Sequence, residues 1–400
     1  MGKYDIQLFV NPQAEYREYG DGEREILNQE AFAEAKEEIS SWPGYEPTPL
    51  IELQGLAEES GVGGMWCKYE GTRFGIGSFK PTGPTYAMLG VLKKEVAKAI
   101  GGEVSSADLV EGKYAEITRD MVMAAATSGN HGRAMAWGAG MFGCRAVLYM
   151  NDGVSKGREE AIKSYGGEVV RVEGTYDETV EQLHVDAEAH GYSVISDRST
   201  PEHPQVPRAI MQGYAMVADE LIEQIGAPPT HVFVPGGGGI LTGACCGHLW
   251  ERYGRERPRL VVVEPTASCC LYESGRAGRP VKVESAASVM DGLVVEEASA
   301  EPVALLNAGA FAFLTVPDQA AVDAMRGAAD PLGADPAVVI GDTGSAGWAG
   351  FLAAVGDGEI RAALGLDGDS RVAVVVTEGA TDPAVYREIV GRTPEEVAGA

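Results

Sequence analysis

Cysteine and histidine are sparse in this chain, six of each in 400 residues, and neither is spaced for metal or redox chemistry. The cysteines include adjacent pairs at Cys245-Cys246 and Cys269-Cys270 but no CxxC, and the histidines form no HExxH. That spacing argues against a structural zinc site or a disulfide framework, so no metal is expected. Basic residues are scarce too: 32 Lys and Arg stand against 59 Asp and Glu, a formal net charge of -27. So acidic a chain repels phosphate backbones and anionic lipid surfaces, which makes nucleic acid and membrane poor partners. No apolar run reaches the roughly 18 residues of a membrane span, and the opening stretch Met1-Gly2-Lys3-Tyr4-Asp5-Ile6 has no uninterrupted apolar core. The expectation is a cytoplasmic protein acting on a small molecule.

What the chain does have is length and alternation. Its 45% hydrophobic content can fill one large or two ordinary domains. From Met121 onward, apolar runs, glycine-bearing turns and amphipathic stretches alternate as in βα units on a parallel sheet. The pattern predicts strands at Val122–Ala126, Ala146–Met150, Glu168–Val172 and Ser193–Ser196, with helices at Asn130–Phe142, Lys156–Tyr165 and Tyr176–His190. A proline-rich crossing from Thr200 to Pro207 interrupts the alternation, and a long helix is predicted from Ala209. Beyond it, His231–Val234, Leu260–Val263 and Val372–Val376 read as buried strands, and Leu241–Tyr253 and Ser345–Ala354 as helices. Two α/β domains are implied.

Three turns carry chemistry. In Phe233-Val234-Pro235-Gly236-Gly237-Gly238-Gly239-Ile240-Leu241 a strand runs through four glycines into a helix. Without Cβ atoms, backbone N–H groups can converge on an anion, and the helix N-terminus adds partial positive charge: a phosphate cradle. It is not a dinucleotide fingerprint, which would need glycine at Leu241 or Thr242, and no GxxxxGK[ST] occurs. In Thr127-Ser128-Gly129-Asn130-His131-Gly132, hydroxyl, amide and N–H donors share one turn, suited either to a carboxylate or to simple N-capping by Ser128 or Asn130. In Gly77-Ser78-Phe79-Lys80-Pro81-Thr82-Gly83 a lone lysine stands among small and apolar residues. It is either a surface lysine or, if withdrawn from water, a nucleophile toward carbonyls.

The ordered set Ser78-Phe79-Lys80, Thr127 to Gly132, Gly236 to Gly239 and Val376-Thr377-Glu378-Gly379 resembles the fold type II, tryptophan-synthase-β-like pyridoxal-phosphate enzymes. Within them it is similar to the diaminopropionate ammonia-lyases, through Pro43 to Leu50, Arg73-Phe74-Gly75, Ile210 to Ala215, Val263-Glu264-Pro265 and Thr377 to Asp382. The resemblance implies a two-domain α/β fold, each domain a mostly parallel sheet flanked by helices. Residues 1–84 and 206–400 would form the larger, cofactor-binding domain and 85–205 the smaller one, carrying the substrate-carboxylate turn. It further implies that Lys80 carries pyridoxal 5'-phosphate as a Schiff base and removes the Cα proton. Gly236, Gly237, Gly238, Gly239 and Ile240 would hold the phosphate, Asn130 the ring hydroxyl and Thr377 the ring nitrogen. Thr127, Ser128, Gly129 and His131 would bind the substrate, with Ser128 and Asp197 at the two positions where the lyases carry catalytic acids. The activity implied is α,β-elimination from diaminopropionate or a related β-substituted alanine, through an aminoacrylate, by a homodimer. β-Replacement shares every step up to that species, and a non-catalytic ligand-binding homologue is disfavoured by Lys80.

The chain departs from the resemblance at Ser128, where the lyases typically carry aspartate, and after Asp197, where Arg198 to His203 replaces an aromatic stretch. A serine cannot serve as a base near neutral pH. Turnover of the D-isomer is therefore expected to suffer, and preference to shift toward neutral or anionic β-substituents.

Overall fold

The computed structural model describes residues 4–198 and 204–399; the Ser199–His203 part of the second departure lies outside them. Eleven strands occur among the described residues: β1 Gln7–Val10, β2 Leu50–Glu52, β3 Gly64–Tyr69, β4 Val122–Ala126, β5 Arg145–Asn151, β6 Glu168–Val172, β7 Ser193–Val194, β8 His231–Pro235, β9 Arg259–Pro265, β10 Ala312–Val316 and β11 Arg371–Val376. The chain divides into two compact units, Met1–Phe32 with Glu46–Phe79 and Tyr214–Ala400, and Ala33–Tyr45 with Lys80–Gly213.

The larger unit is built on a seven-stranded sheet in the order β1-β10-β9-β8-β11-β3-β2. Its five central strands are mutually parallel, and only the edges β1 and β2 run antiparallel. The valine-rich runs of β9 and β11 explain the arrangement, because strands covered on both faces need apolar residues at successive positions. Phe233, Val261, Leu314 and Val374 are fully buried in this core, each contributing about 1.5–3 kcal/mol of burial. β8 and β11 are neighbours, with Val374 paired to Phe233. Their carboxyl ends therefore open on the same edge of the sheet, where ligands bind in α/β folds.

The smaller unit holds the parallel sheet β6-β5-β4-β7. Ala33–Tyr45 belongs with it, although the sequence kept this stretch with the larger domain. Trp42 meets Trp137 and Phe142 with ring centroids 6.1 and 6.0 Å away, and Glu38 pairs with Lys93 at 2.8 Å. The long helix begins at Gln205, inside the proline-rich crossing. Pro207 is accommodated in its first turn, where a backbone N–H has no helical partner to lose.

Candidate active site

In the larger unit, the four-glycine turn joins β8 to the helix Ile240–Tyr253. Gly237 and Gly239 take left-handed φ values of 75° and 89°, which a side chain would strain. A Cβ on Gly236 would fall 2.4 Å from Glu264 Cγ, whereas one on Gly238 would meet no protein atom within 4 Å. Gly236 N donates to the Val263 carbonyl at 2.8 Å. The amides of Gly237, Gly238 and Gly239 have no acceptor among the described residues. Unpaired N–H groups at the head of a fourteen-residue helix fit a phosphate.

Glu264, at the end of β9, supports this turn from below, a role that sequence reasoning did not assign. It is fully buried, and its two oxygens accept from Leu271 N at 3.0 Å and Tyr272 N at 2.7 Å. Burial pushes its carboxyl up to about 8 despite those hydrogen bonds. Its only sequence signal was the Val263-Glu264-Pro265 stretch.

Thr377 directly follows β11 and is buried, with a hydroxyl that has no hydrogen-bond partner among the described residues. Its carbonyl accepts from Phe79 N at 3.0 Å, and Gly379 N donates to Gly77 O at 3.0 Å. The segment leading to Lys80 is thereby stitched to the end of β11.

In the smaller unit, Lys80 opens a short turn, Lys80–Thr82, ahead of the helix Pro84–Ile100. Its Nζ lies 3.5 Å from Asp197 Oδ2, with the lysine side chain 21% exposed. His131 approaches the same oxygen, Nδ1 at 3.8 Å. Burial tends to raise the Asp197 carboxyl, but Lys80, His131 and Arg198 outweigh it and hold it below the usual range. Three of the expected residues, Lys80, His131 and Asp197, are therefore brought together by this unit.

The turn before the helix Asn130–Phe142 is not the simple N-cap that the sequence also allowed. Neither Ser128 nor Asn130 caps the helix; instead Thr127 Oγ1 accepts from Gly129 N and Gly132 N, both at 3.0 Å. Those two amides are committed inside the turn. Asn130 Oδ1 accepts from Arg133 Nη2 at 2.8 Å, which fixes the amide so that its NH2 edge faces away from the guanidinium. Arg158 Nη1 donates to the Ser128 carbonyl at 3.2 Å. Neither arginine was singled out from sequence, since an arginine within a helix carries no local signature. Arg198 stacks 5.1 Å from the centroid of Tyr176 and stands 3.6 Å from Asp177 Oδ1.

A phosphate cradle at a strand–helix junction and a lysine clustered with a carboxylate and an imidazole define a class of enzyme that holds a phosphorylated cofactor and forms covalent adducts through an amine. The chain belongs to the pyridoxal-phosphate dependent enzyme family, which matches residues 41–378. It is 36% identical over 363 residues to the diaminopropionate ammonia-lyase of Escherichia coli K12, covering 89% of this chain and 90% of that one. The crystal structure of the selenomethionine holo form of the Escherichia coli lyase superposes with a TM-score of 0.88 at 32% identity, covering 99% of both chains. The same lyase in complex with an aminoacrylate-PLP azomethine reaction intermediate gives 0.87 at 31% identity, covering 100% of both. The fold is therefore that of the fold type II enzymes, and the chain is a pyridoxal-phosphate-dependent lyase.

Proposed function

We propose that this protein eliminates the β-substituent of diaminopropionate or a related β-substituted alanine, giving an oxo acid and ammonia. The cluster of Lys80 Nζ 3.5 Å from Asp197 in a unit with a donor-rich turn carries the reading, and the identity to diaminopropionate ammonia-lyase supports it. The larger unit acts as the cofactor-binding domain: Gly236, Gly237, Gly238, Gly239 and Ile240 hold the phosphate, and Thr377 bonds the ring nitrogen. Asn130 bonds the ring hydroxyl, and Lys80 supplies the covalent link. Pyridoxal phosphate, when bound, supplies the electron sink that makes the Cα proton acidic and lets a β-substituent leave.

The protein's own groups do the rest. A neutral hydroxyl at Thr377 cannot protonate a pyridine nitrogen, so the sink is moderate and favours prompt loss of the β-group. Lys80, once its amine is free, takes the Cα proton, and Asp197 keeps that amine close. The hydroxyls of Thr127 and Ser128 orient the substrate carboxylate, with Gly129 shaping the turn through its amide hydrogen bond to Thr127, the smaller unit's contribution to positioning. Ser128 has no basicity near neutral pH, so the base work falls to Lys80 and Asp197. We extend the reading to a homodimer in the cytoplasm. No helix among the described residues is long and apolar enough to cross a membrane, and light scattering should give a mass near twice 42.1 kDa.

The deciding experiment is borohydride reduction of the yellow holoenzyme followed by peptide mapping, together with assays of oxo acid and ammonia from diaminopropionate and β-chloroalanine. The modified peptide should contain Lys80. Label on any other lysine, or no oxo acid from either compound, rejects the reading.

A further inference from the structure

His131 is tied down at one ring nitrogen and open at the other. Nε2 lies 2.9 Å from the Ile195 carbonyl oxygen, which can only accept, so Nε2 carries the proton. In the neutral ring Nδ1 is then a bare acceptor, and it is buried with no hydrogen-bond partner among the described residues. Burial keeps the ring neutral by lowering its pKa; Lys80 pushes the same way and Asp197 opposes. Across a 3.8 Å gap stands a second acceptor, Asp197 Oδ2. Two acceptors in that position repel unless an N–H donor lies between them. One tetrahedral nitrogen making two hydrogen bonds of about 2.9 Å spans acceptors up to roughly 4.7 Å apart, so the gap suits a single ammonium group. Lys80 Nζ, 3.5 Å from the same oxygen, is taken up by the covalent link and then by the Cα proton, and the Arg198 guanidinium is directed to Tyr176 and Asp177.

We propose that His131 Nδ1 and Asp197 Oδ2 together seat the ammonium group on the β-carbon of a 2,3-diamino acid, which makes His131 a specificity-determining residue. The inference rests on the elimination reading above and names the β-substituent that reading left open. The bookkeeping of the step is simple. The Cβ–N bond breaks, its electron pair stays on a nitrogen that keeps its three protons, neutral ammonia departs, and the Cα proton goes to Lys80. A hydroxyl substituent offers one donor and forms one of the two bonds. An anionic substituent faces two acceptors and is repelled. The shift toward neutral or anionic substituents expected from Ser128 is therefore opposed at His131 and Asp197.

The test compares L-2,3-diaminopropionate with β-chloro-L-alanine, whose substituent donates nothing, on the holoenzyme. His131→Gln keeps a donor for the Ile195 carbonyl and removes the δ acceptor. It should raise KM for diaminopropionate roughly tenfold or more relative to that for β-chloroalanine. His131→Asn, which returns an oxygen at the δ position, should recover part of the loss. A pH series on wild type provides a check free of mutation. Below the ordinary imidazole range Nδ1 gains a proton, so KM for diaminopropionate should rise while that for β-chloroalanine stays flat. Lys80, Tyr176 and Arg198 face the same site and act on both substrates alike, and Asp197, held below the usual carboxylate range, stays ionised throughout the series. Equal losses on both substrates, or an unchanged KM for diaminopropionate, overturn the proposal. Wild type that converts β-chloroalanine but not diaminopropionate overturns it while leaving elimination intact; conversion of neither removes the elimination reading as well.

Discussion

Lys68 and Lys80 are both withdrawn from bulk water beside a carboxylate, and their surroundings could hardly differ more. Lys68, in the larger unit, is fully buried, and its three donors reach Glu220 at 2.6 Å, the Thr48 carbonyl at 2.8 Å and Gln224 Oε1 at 2.9 Å. Arg73 and Glu70 complete a closed set of two cations and two anions. Lys80, in the smaller unit, keeps 21% of its side chain exposed and lies 3.5 Å from a carboxylate that is itself 37% exposed. A fully buried, saturated amine is a structural element, and a partly exposed one can be reached by a substrate. Burial alone would have ranked them the wrong way round.

Substitutions can break that contrast from either side. The largest effect should come from Lys80→Ala, lowering kcat by about 10²- to 10⁴-fold while leaving the urea midpoint of the apoprotein nearly unchanged. Lys68→Met should do the reverse. Removing one cation leaves two buried carboxylates sharing Arg73, costs about 3–5 kcal/mol in urea unfolding, and leaves the kcat of the folded fraction intact. Loss of activity in Lys68→Met without loss of stability would collapse the distinction.

A smaller effect sharpens it at a third ionisable group, the buried Glu264. A carboxyl whose folded pKa of about 8 exceeds its unfolded value holds a proton that the unfolded chain has already released. Stability from this group is therefore present below the unfolded value and declines as pH rises toward 8, with a slope of at most about 1.4 kcal/mol per pH unit. Glu264→Gln should flatten the dependence of the urea midpoint between pH 5 and 8. An unchanged slope would show that the carboxylate stays ionised on its two amides.

Much of this was legible in the sequence where pattern repeats. β4, β6 and the helices Asn130–Phe142 and Tyr176–His190 have the bounds read from periodicity, because continuous apolar runs and 3.6-residue stripes belong to buried strands and amphipathic helices. β7 was overcalled at four residues and is two, since its pairing with β4 is limited to Met123 and Ala124. β1 and β2 escaped notice as short edge strands with little burial. At the site, the glycine turn announced itself through composition. The Thr127 hydroxyl that organises its own turn, the Arg133 bond to Asn130 and the support from Glu264 are contacts between residues with no local signature, and only folding reveals them.

The glycines of the cradle do not all answer to the same constraint. Gly236 is required by the protein itself, since a methyl group there would press into Glu264; Gly238 would meet no protein atom and shows no left-handed φ. An alanine at 238 is therefore compatible with folding. Purely thermodynamic selection on the fold would let that position drift, so a glycine held there across descendants would be an inheritance of the ligand, and a lineage that abandoned the phosphate could be recognised first by what it tolerates at this one residue.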